Sequence, residues 1–362
     1  MLRKNYLFVL IISLLVLSSC SSSSFVPEEH NFPLAKSKSI DLNEDVGTIA
    51  VSDSFLVFET PNTLQAVDID TDKTLWTLND FNLNPESEIM FSNDVTIIML
   101  RNNVLLVDSK GNQTFLDLNR ELSQNIDLIA VYKNFVYIIR GGGWTLEVYD
   151  ISKNKLLWGT STGRGGTQVF YDNSKDVVYV TNVSSIRAFN NDAGELLWQY
   201  DIRIDESAYY NDVLYICETS FDDKTYRVTA LEVKSQKVLW EYESASSLGM
   251  YVQKCSVFKD TLIINTSTGL YLMDIREGKF IRHILGSYGF YQLPVSFNDI
   301  TYVKGLNKAV YAISLESDNV EGYVQLEPSP VLGAPLEDFK VFLYKDGIIF
   351  KTKNEIVFYA PK

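Results

Sequence analysis

Histidine, cysteine and basic residues are scarce in this chain of 362 residues, and each scarcity narrows the possible functions. Two histidines and three cysteines leave little material for a zinc site or a histidine-based catalytic triad. Lysine and arginine number 32 against 46 for aspartate and glutamate. Such an acidic surface repels phosphate backbones and anionic lipid headgroups. We therefore expect no catalytic residues, no metal, no cofactor and no nucleic-acid partner.

Length and composition point to a repeated structural unit. The chain is 46% hydrophobic and 22% charged, so it is not a disordered tail. A single compact core stops growing near roughly 250 to 300 residues. The chain therefore contains either two domains or an architecture that multiplies one small unit.

The first residues are typical of a secretory leader. An apolar stretch from Leu7 to Leu17 follows Arg3 and Lys4 and ends just before Cys20. At about 1.5 Å per residue this stretch crosses only about half of a roughly 30 Å hydrocarbon layer. The residues around Cys20 resemble a bacterial lipobox, which predicts a signal peptide over residues 1–19 and a lipid on Cys20. An ordinary export signal with a chance cysteine is the alternative.

A flexible tether is predicted over residues 20–35, because this segment is rich in serine and proline. Ser21 stands where lipoproteins retained in the inner membrane usually have aspartate. The sequence therefore favours the periplasmic side of an outer membrane, or the outer face of the cell membrane in a cell with one membrane.

The rest of the chain repeats with a period of about 41 residues. In four places an acidic or amide residue is followed eight positions later by tryptophan: Asp68 and Trp76, Asp150 and Trp158, Asn190 and Trp198, Glu232 and Trp240. Weaker copies occur at Asp108, Asp274 and Ser314. A period in the low forties is typical of propeller blades or helical repeats.

Short β-branched and aromatic runs separated by Asn, Asp and Gly favour β-hairpins over helices. Eight such hairpins predict an all-β, eight-bladed β-propeller over residues 36–362, with four strands in each blade. The last unit ends without a fourth strand, whereas Ser37–Leu42 precedes the first hairpin without a partner. We expect these two ends to pair and close the ring, which removes two open sheet edges.

The segment from Ala66 to Trp76 resembles the tryptophan-docking repeat of PQQ-type propellers, except that Asp72 replaces the usual glycine. The segment from Ala188 to Trp198 matches again, with Gly194 in the turn. The resemblance implies that tryptophan docks each blade on the next one. The docking residues implied are Trp76, Trp158, Trp198 and Trp240.

The same repeat occurs in quinoprotein dehydrogenases, which hold PQQ over a calcium ion. Those enzymes resemble one another in an adjacent cysteine pair, which this chain lacks. Cys217 and Cys255 fall on adjacent blades and are expected to be packed thiols, although an oxidising compartment permits a disulfide. The glycines at 141–143 and 163–166 do not open a helix and are interpreted as loop glycines.

Lipobox, tether and ring together resemble the BamB family of outer-membrane assembly lipoproteins. The resemblance implies a non-enzymatic, monomeric scaffold that binds the periplasmic domains of a BamA-type subunit and nascent barrel proteins. The family's Leu-x-Leu-Arg-Gly loop corresponds here to residues 159–166, which keep Arg164 and Gly165 but have Ser161 and Gly163 in place of the leucines. Asp205 occupies the next loop, where the family has acidic contacts.

Two other functions remain open. A lipid-anchored propeller could bind a carbohydrate or peptide through its loops, given 21 tyrosines, 20 phenylalanines and five tryptophans. A PQQ-dependent oxidoreductase is suggested only by the repeat.

Overall fold

The computed structural model of the chain describes residues 33–41, 46–81, 83, 87–118, 125–163, 165–220, 225–245, 252–266, 269–285, 295–304, 309–316, 320–325, 341–345, 347–351 and 355–361. These residues form eight antiparallel sheets of four strands each. The predicted eight-bladed, all-β propeller is therefore confirmed.

Blades 1 to 7 each consist of four consecutive strands, numbered outward from the central channel. Blades 1 and 2 contain β2 (Ile49–Val51), β3 (Phe55–Thr60), β4 (Thr63–Asp68), β5 (Thr74–Asn79), β6 (Glu88–Ser92), β7 (Val95–Met99), β8 (Val104–Val107) and β9 (Gln113–Phe115). Blades 3 and 4 contain β10 (Ile126–Tyr132), β11 (Phe135–Arg140), β12 (Thr145–Asp150), β13 (Lys155–Ser161), β14 (Gly166–Asp172), β15 (Val177–Asn182), β16 (Ser185–Asn190) and β17 (Leu196–Asp201).

The second half of the ring follows the same plan. Blades 5 and 6 contain β18 (Glu206–Tyr210), β19 (Val213–Ser220), β20 (Thr225–Glu232), β21 (Lys237–Ala245), β22 (Val252–Phe258), β23 (Thr261–Thr266), β24 (Gly269–Asp274) and β25 (Phe280–Leu285). Blade 7 contains β26 (Val295–Phe297), β27 (Ile300–Lys304), β28 (Ala309–Ser314) and β29 (Val320–Gln325). Blade 8 contains β30 (Val341–Tyr344), β31 (Gly347–Lys351), β32 (Glu355–Pro361) and, as its outermost strand, β1 (Leu34–Asp41).

Pairing of β1 with β32 closes the ring, as the sequence predicted. The register runs from Leu34 opposite Pro361 to Asp41 opposite Glu355, and Lys36 forms an ion pair with Glu355. The strand begins at Leu34, three residues before the predicted segment Ser37–Leu42. The reason is that the Leu34 side chain is buried in the core between blades 7 and 8.

The hydrophobic core lies between the blades. Eight clusters of buried side chains occupy the eight interfaces between neighbouring blades. Each middle strand is therefore covered on both faces, which explains why its apolar run is nearly continuous instead of alternating.

Tryptophans of the outermost strands contact the neighbouring blade. The indole Nε1 of Trp240 donates to the Ile275 carbonyl oxygen at 2.8 Å, and that of Trp158 donates to the Asn191 carbonyl oxygen. Glycine is required in the turn beneath, because a Cβ on Gly194 would lie 2.5 Å from the Trp158 ring. Trp76 covers Gly111 of blade 2 in the same way.

In two blades whose outermost strand lacks tryptophan, a lysine or an arginine donates the corresponding hydrogen bond. The ammonium of Lys38 in β1 donates to the carbonyl oxygen of Ile69, and the guanidinium of Arg282 in β25 donates to that of Leu315. Lys38 also forms an ion pair with Asp72. This contact explains why aspartate replaces glycine at Asp72, since no indole covers the turn.

Trp198 packs at the interface between blades 4 and 5, but the turn that it faces has no glycine. Its ring packs on Tyr179, with 5.8 Å between the ring centroids, and its side chain, like that of Trp240, stays partly exposed. The corresponding turn of blade 5 has Gln236 at a positive φ of 55° instead of glycine. Without a glycine, the indole cannot approach this turn as closely as Trp158 approaches Gly194.

Candidate partner-binding face

The two loops singled out in the sequence lie at one end of the ring. Both connect the outermost strand of one blade to the innermost strand of the next, and they span residues 162–165 and 202–205. Turns between the second and third strands lie at the same end because adjacent strands are antiparallel. Arg164 lies outside the described residues, whereas Gly165 and Asp205 are described.

Backbone hydrogen bonds join the loop 162–165 to the glycine turn of blade 3. The N–H of Gly165 donates to the carbonyl oxygen of Gly142 at 3.1 Å, and that of Thr162 donates to the carbonyl oxygen of Trp144 at 2.9 Å. The Asp127 carboxylate accepts the N–H groups of Gly142 and the next glycine at 2.6 and 3.1 Å. The two glycine-rich segments therefore form one cross-linked surface.

The turn between β15 and β16 connects this surface to the second loop. A Cβ on Gly165 would lie 3.3 Å from a methyl carbon of Val183. The N–H of Ile204 donates to the Val183 carbonyl oxygen at 3.3 Å, and that of Ile202 donates to the Ser184 carbonyl oxygen at 3.1 Å. The structure thus places the Gly165 and Asp205 loops on either side of one turn.

Asp205 is partly engaged inside its own blade. One carboxylate oxygen accepts the backbone N–H of Thr219 at 2.7 Å, and the other lies 3.8 Å from Nε of Arg203. The side chain of Asp205 is 28% exposed. Asp205 therefore fixes the loop, and only part of its carboxylate is available to a binding partner.

Three side chains that the sequence did not single out define the exposed part of this face. Trp144 is 51% exposed and Val183 is 49% exposed. Nη1 of Arg187 donates to the Ser161 carbonyl oxygen at 3.2 Å, and its guanidinium lies beside Gly163. We call Trp144, Gly163, Gly165, Val183 and Arg187 the Trp144 patch.

The sequence did contain a signal for Trp144. The other four tryptophans each stand eight residues after a marker, whereas Trp144 directly follows three glycines. A tryptophan outside the docking position has no neighbouring blade to cover it. No comparable signal identifies Val183 or Arg187.

The innermost strands of blades 4 to 6 carry a polar cluster. Glu206 accepts hydrogen bonds from Lys254 Nζ at 2.9 Å and from Gln168 Nε2 at 3.0 Å. Burial raises the pKa of Glu206, although the Lys254 ammonium opposes the shift. The carboxylate is thus held by a lysine and an amide, and it is not part of an acidic cluster.

The described residues do not fit a calcium-bound quinone. Calcium takes six to eight oxygen ligands, mostly carboxylates and carbonyls. Within the described ranges, no three side chains among His, Cys, Asp and Glu come together in a way that could hold a metal ion. Of the channel carboxylates, Glu206 is already bound by Lys254.

A cavity of about 910 Å³ opens at the other end of the channel. Its lining combines Asp53 and Asp94, in turns between first and second strands, with the apolar side chains of Met90, Phe91 and Phe342. This mixture of acidic and apolar groups is the feature that a carbohydrate- or peptide-binding propeller would use.

The three cysteines contribute no side chain to the candidate face in the part of the chain that the structure describes. Cys20 lies outside the described residues, and the described part of the chain contains no helix of a length and apolarity that would cross a bilayer. Cys217 and Cys255 are buried free thiols in one cluster between blades 5 and 6.

Comparison with solved structures places the fold among known propellers. BamB from Moraxella catarrhalis superposes with a TM-score of 0.66 at 13% identity, covering 90% of this chain and 99% of that chain. The computationally designed Ika8 protein gives 0.68 at 13%, covering 89% and 98%. A europium-containing methanol dehydrogenase gives 0.65 at 12%, covering 88% and 84%.

These identities show the shared fold alone. No curated protein sequence matches the chain. A family model described as the outer membrane protein assembly factor BamB does match, over residues 62–321. Since this span is most of the 362 residues, the chain belongs to the BamB family.

Proposed function

We propose that the chain is a non-enzymatic scaffold of the machinery that assembles β-barrel proteins in the outer membrane. In this function it binds the periplasmic domains of a BamA-type subunit, and nascent barrel proteins as a second class of partner. The observation that carries the proposal is the family match over residues 62–321.

The geometry at one end of the ring supports a binding function. The loops that contain Arg164, Gly165 and Asp205 converge there, and the backbone hydrogen bonds described above hold the two glycine segments together. A rigid propeller that presents preordered loops loses little conformational entropy on binding. We assign the partner contact to this end, with Arg164 and Asp205 as its charged residues.

Lipid attachment completes the proposal. A lipid on Cys20, after removal of residues 1–19, anchors the ring to the inner leaflet of the outer membrane, and residues 20–35 contain the lipidated cysteine and the tether. Two or three acyl chains are needed for stable anchoring. Replacing Cys20 by alanine should release the protein into the soluble periplasmic fraction and abolish labelling by radioactive palmitate.

The assembly function is tested in the source cell. Periplasmic cross-linking should capture the BamA-type subunit, and deletion of the gene should lower the amount of outer-membrane porins. Capture of no assembly component, together with unchanged porin levels, would reject the proposal.

A quinone-dependent oxidoreductase is the competing function, because a methanol dehydrogenase shares the fold. Titration of the purified protein with PQQ and either calcium or a lanthanide distinguishes the two. We expect no bound chromophore, since the described carboxylates provide no cluster for the metal.

A further inference from the structure

The turns around one mouth of the channel carry a repeated charge pattern. These turns connect the first and second strands of the blades, and in two places a lysine of one turn pairs with the aspartate of the next blade's turn. Lys175 of blade 4 binds Asp212 of blade 5 at 2.6 Å. Lys259 of blade 6 binds Asp299 of blade 7, also at 2.6 Å. The negative charge of these turns is therefore neutralised within the ring.

Blades 1 and 2 depart from this pattern. The turn of blade 1 has Asp53 and no lysine, so Asp94 of blade 2 lacks the cation that the pattern would supply. Lys345 occupies the corresponding turn of blade 8, but its ammonium pairs with Asp70 at 2.6 Å instead of with Asp53. Asp53 and Asp94 are exposed, and neither has an ion-pair or hydrogen-bond partner among the residues that the structure describes.

The two uncompensated carboxylates border the cavity of about 910 Å³ at this mouth. Met90, Phe91 and Phe342 contribute apolar side chains to its lining. Phe91 is held by an edge-to-face contact with Phe55, with 5.2 Å between the ring centroids. Ligand sites are typically concave and apolar with a few polar groups that fix orientation. The cavity therefore matches a ligand that combines an apolar body with a positive charge.

Both carboxylates stand on turns that hydrogen bonds already fix. Ser52 Oγ accepts the N–H of Phe55 at 3.0 Å, and the N–H of Ser52 donates to the Phe55 carbonyl oxygen at 2.9 Å. Asn93, which precedes Asp94, donates from Nδ2 to Oδ1 of Asn134 in blade 3 at 2.8 Å. Ordering these turns around a ligand therefore costs little conformational entropy.

The lining of the cavity also includes the edges of strands. β2 and β6 are the innermost strands of blades 1 and 2, and in the described sheets each pairs with another strand on one side only. An extended peptide can form hydrogen bonds along such an edge. A free amine has no backbone for these bonds, so a peptide uses more of this site than an amine does.

We propose that this cavity binds an extended peptide segment that carries a lysine or arginine between apolar residues. The cation lies at Asp53 and Asp94, while its aliphatic stem and the neighbouring apolar side chains pack on the phenylalanines and methionine of the lining. A neutral carbohydrate would leave both carboxylates without a cation. The site lies at the opposite end of the ring from the loops of Arg164 and Asp205, so the inference goes beyond the proposed function and does not depend on it.

Fluorescence polarisation tests the inference with the full chain and a short, capped, dye-labelled peptide that has one lysine between two leucines. Asp94→Asn should weaken Kd about three- to fivefold, the level of an exposed ion pair, and the double variant with Asp53→Asn about tenfold. Replacing the peptide's lysine by glutamate should weaken binding at least as much as the double variant does. Added salt should also weaken binding of the lysine peptide.

Asp299→Asn is the matched control for these variants. Asp299 stands at the corresponding turn of blade 7 and is 39% exposed, but Lys259 already neutralises it. This variant should therefore leave Kd unchanged. Asp94→Lys should abolish binding, because it places a cation in the site as Lys259 does in blade 6. Circular dichroism of each variant checks that the ring is folded.

Four outcomes would overturn the inference. No measurable binding of the lysine peptide rejects the site, and equal affinity for the lysine and glutamate peptides rejects the role of the carboxylates. If Asp299→Asn weakens binding as much as Asp94→Asn, the peptide is attracted by the acidic chain as a whole. If hexylamine, which has the cation and an apolar stem without a backbone, displaces the peptide with equal affinity, the ligand is an amine and the peptide assignment is wrong.

A cross-link locates the bound peptide. Ser54 is exposed and borders the cavity, so a photoreactive amino acid there should cross-link to the lysine peptide. The same amino acid at Trp144, which is exposed at the other end of the ring, should not. Equal yields from the two positions would contradict a site at this mouth.

Discussion

The contact between Trp158 and Gly194 couples two blades and can be measured by a double-mutant cycle. Trp158 is 9% exposed, and its indole donates to the Asn191 carbonyl oxygen in blade 4. Truncating a buried tryptophan to alanine costs about 3 to 5 kcal/mol. We therefore expect Trp158→Ala to lower the free energy of unfolding by that amount.

Replacing Gly194 by alanine also lowers the free energy of unfolding. Gly194 has a φ of 70°, and a Cβ there would lie 2.5 Å from the Trp158 ring. A left-handed backbone costs a residue with a Cβ about 1 to 2 kcal/mol, and the clash adds to this in the wild-type protein. In the Trp158→Ala background the clash is absent. Gly194→Ala should therefore cost less there than in the wild type, which is a coupling of the kind that contacting residues show.

Urea unfolding followed by far-ultraviolet circular dichroism measures all four proteins of the cycle. Gly142→Ala is a control, because its φ is 72° but the nearest atom to its Cβ would be 3.8 Å away. Trp144→Ala is a second control and should change the free energy of unfolding by less than about 0.5 kcal/mol. Equal costs of Gly194→Ala in both backgrounds would refute the docking argument.

Three further predictions follow from the interfaces. Burial acts to raise the pKa of Asp172, but its hydrogen bonds outweigh this effect and hold the pKa at about 2, below the usual 3.8. The resulting stabilisation, of order 2 kcal/mol, should be present above pH 4 and lost as the pH falls towards 2. Acid-unfolding titrations of the wild type and of Asp172→Asn measure it, and identical curves for the two proteins would contradict the expectation. Cys217 and Cys255 should resist alkylation in the native protein and react fully in denaturant, since both thiols are buried and the pKa of Cys255 is raised; rapid native labelling would contradict the packing. Lys38→Met should lower the urea midpoint because it leaves the Ile69 carbonyl oxygen without this donor, and a midpoint unchanged relative to the wild type would show that the lysine does not replace the indole.

Repeat spacing was sufficient to predict the fold but not the contacts between blades. The markers at Asp68 and Asp150 fixed the period, because hairpin turns and docking residues recur at constant separation along the chain. The substitution of aspartate at residue 72 had no explanation until β1 was seen to bring Lys38 beside it. Lys38 and Asp72 meet because β1 is the outermost strand of blade 8, which lies next to blade 1 in the closed ring.

The candidate site was harder to predict for the same reason. Arg164, Gly165 and Asp205 were singled out by the resemblance to a family loop, which identifies loops but not what surrounds them. Trp144 reaches this face from the preceding blade, and Val183 reaches it from a turn within blade 4. Exposure depends on which neighbours cover a side chain, and a single sequence does not contain that information.

A propeller separates the residues that build it from the residues that can bind. The interfaces between blades consume the tryptophans at the repeat position, and cations such as Lys38 and Arg282 replace them where the indole is missing. These contacts hold the ring whatever the loops contain. The loop ends are therefore free to differ from one propeller to another, whereas the contacts between blades recur. The identity of the binding residues must then be determined from exposure and rigidity, which the structure gives, and not from alignment to the repeat.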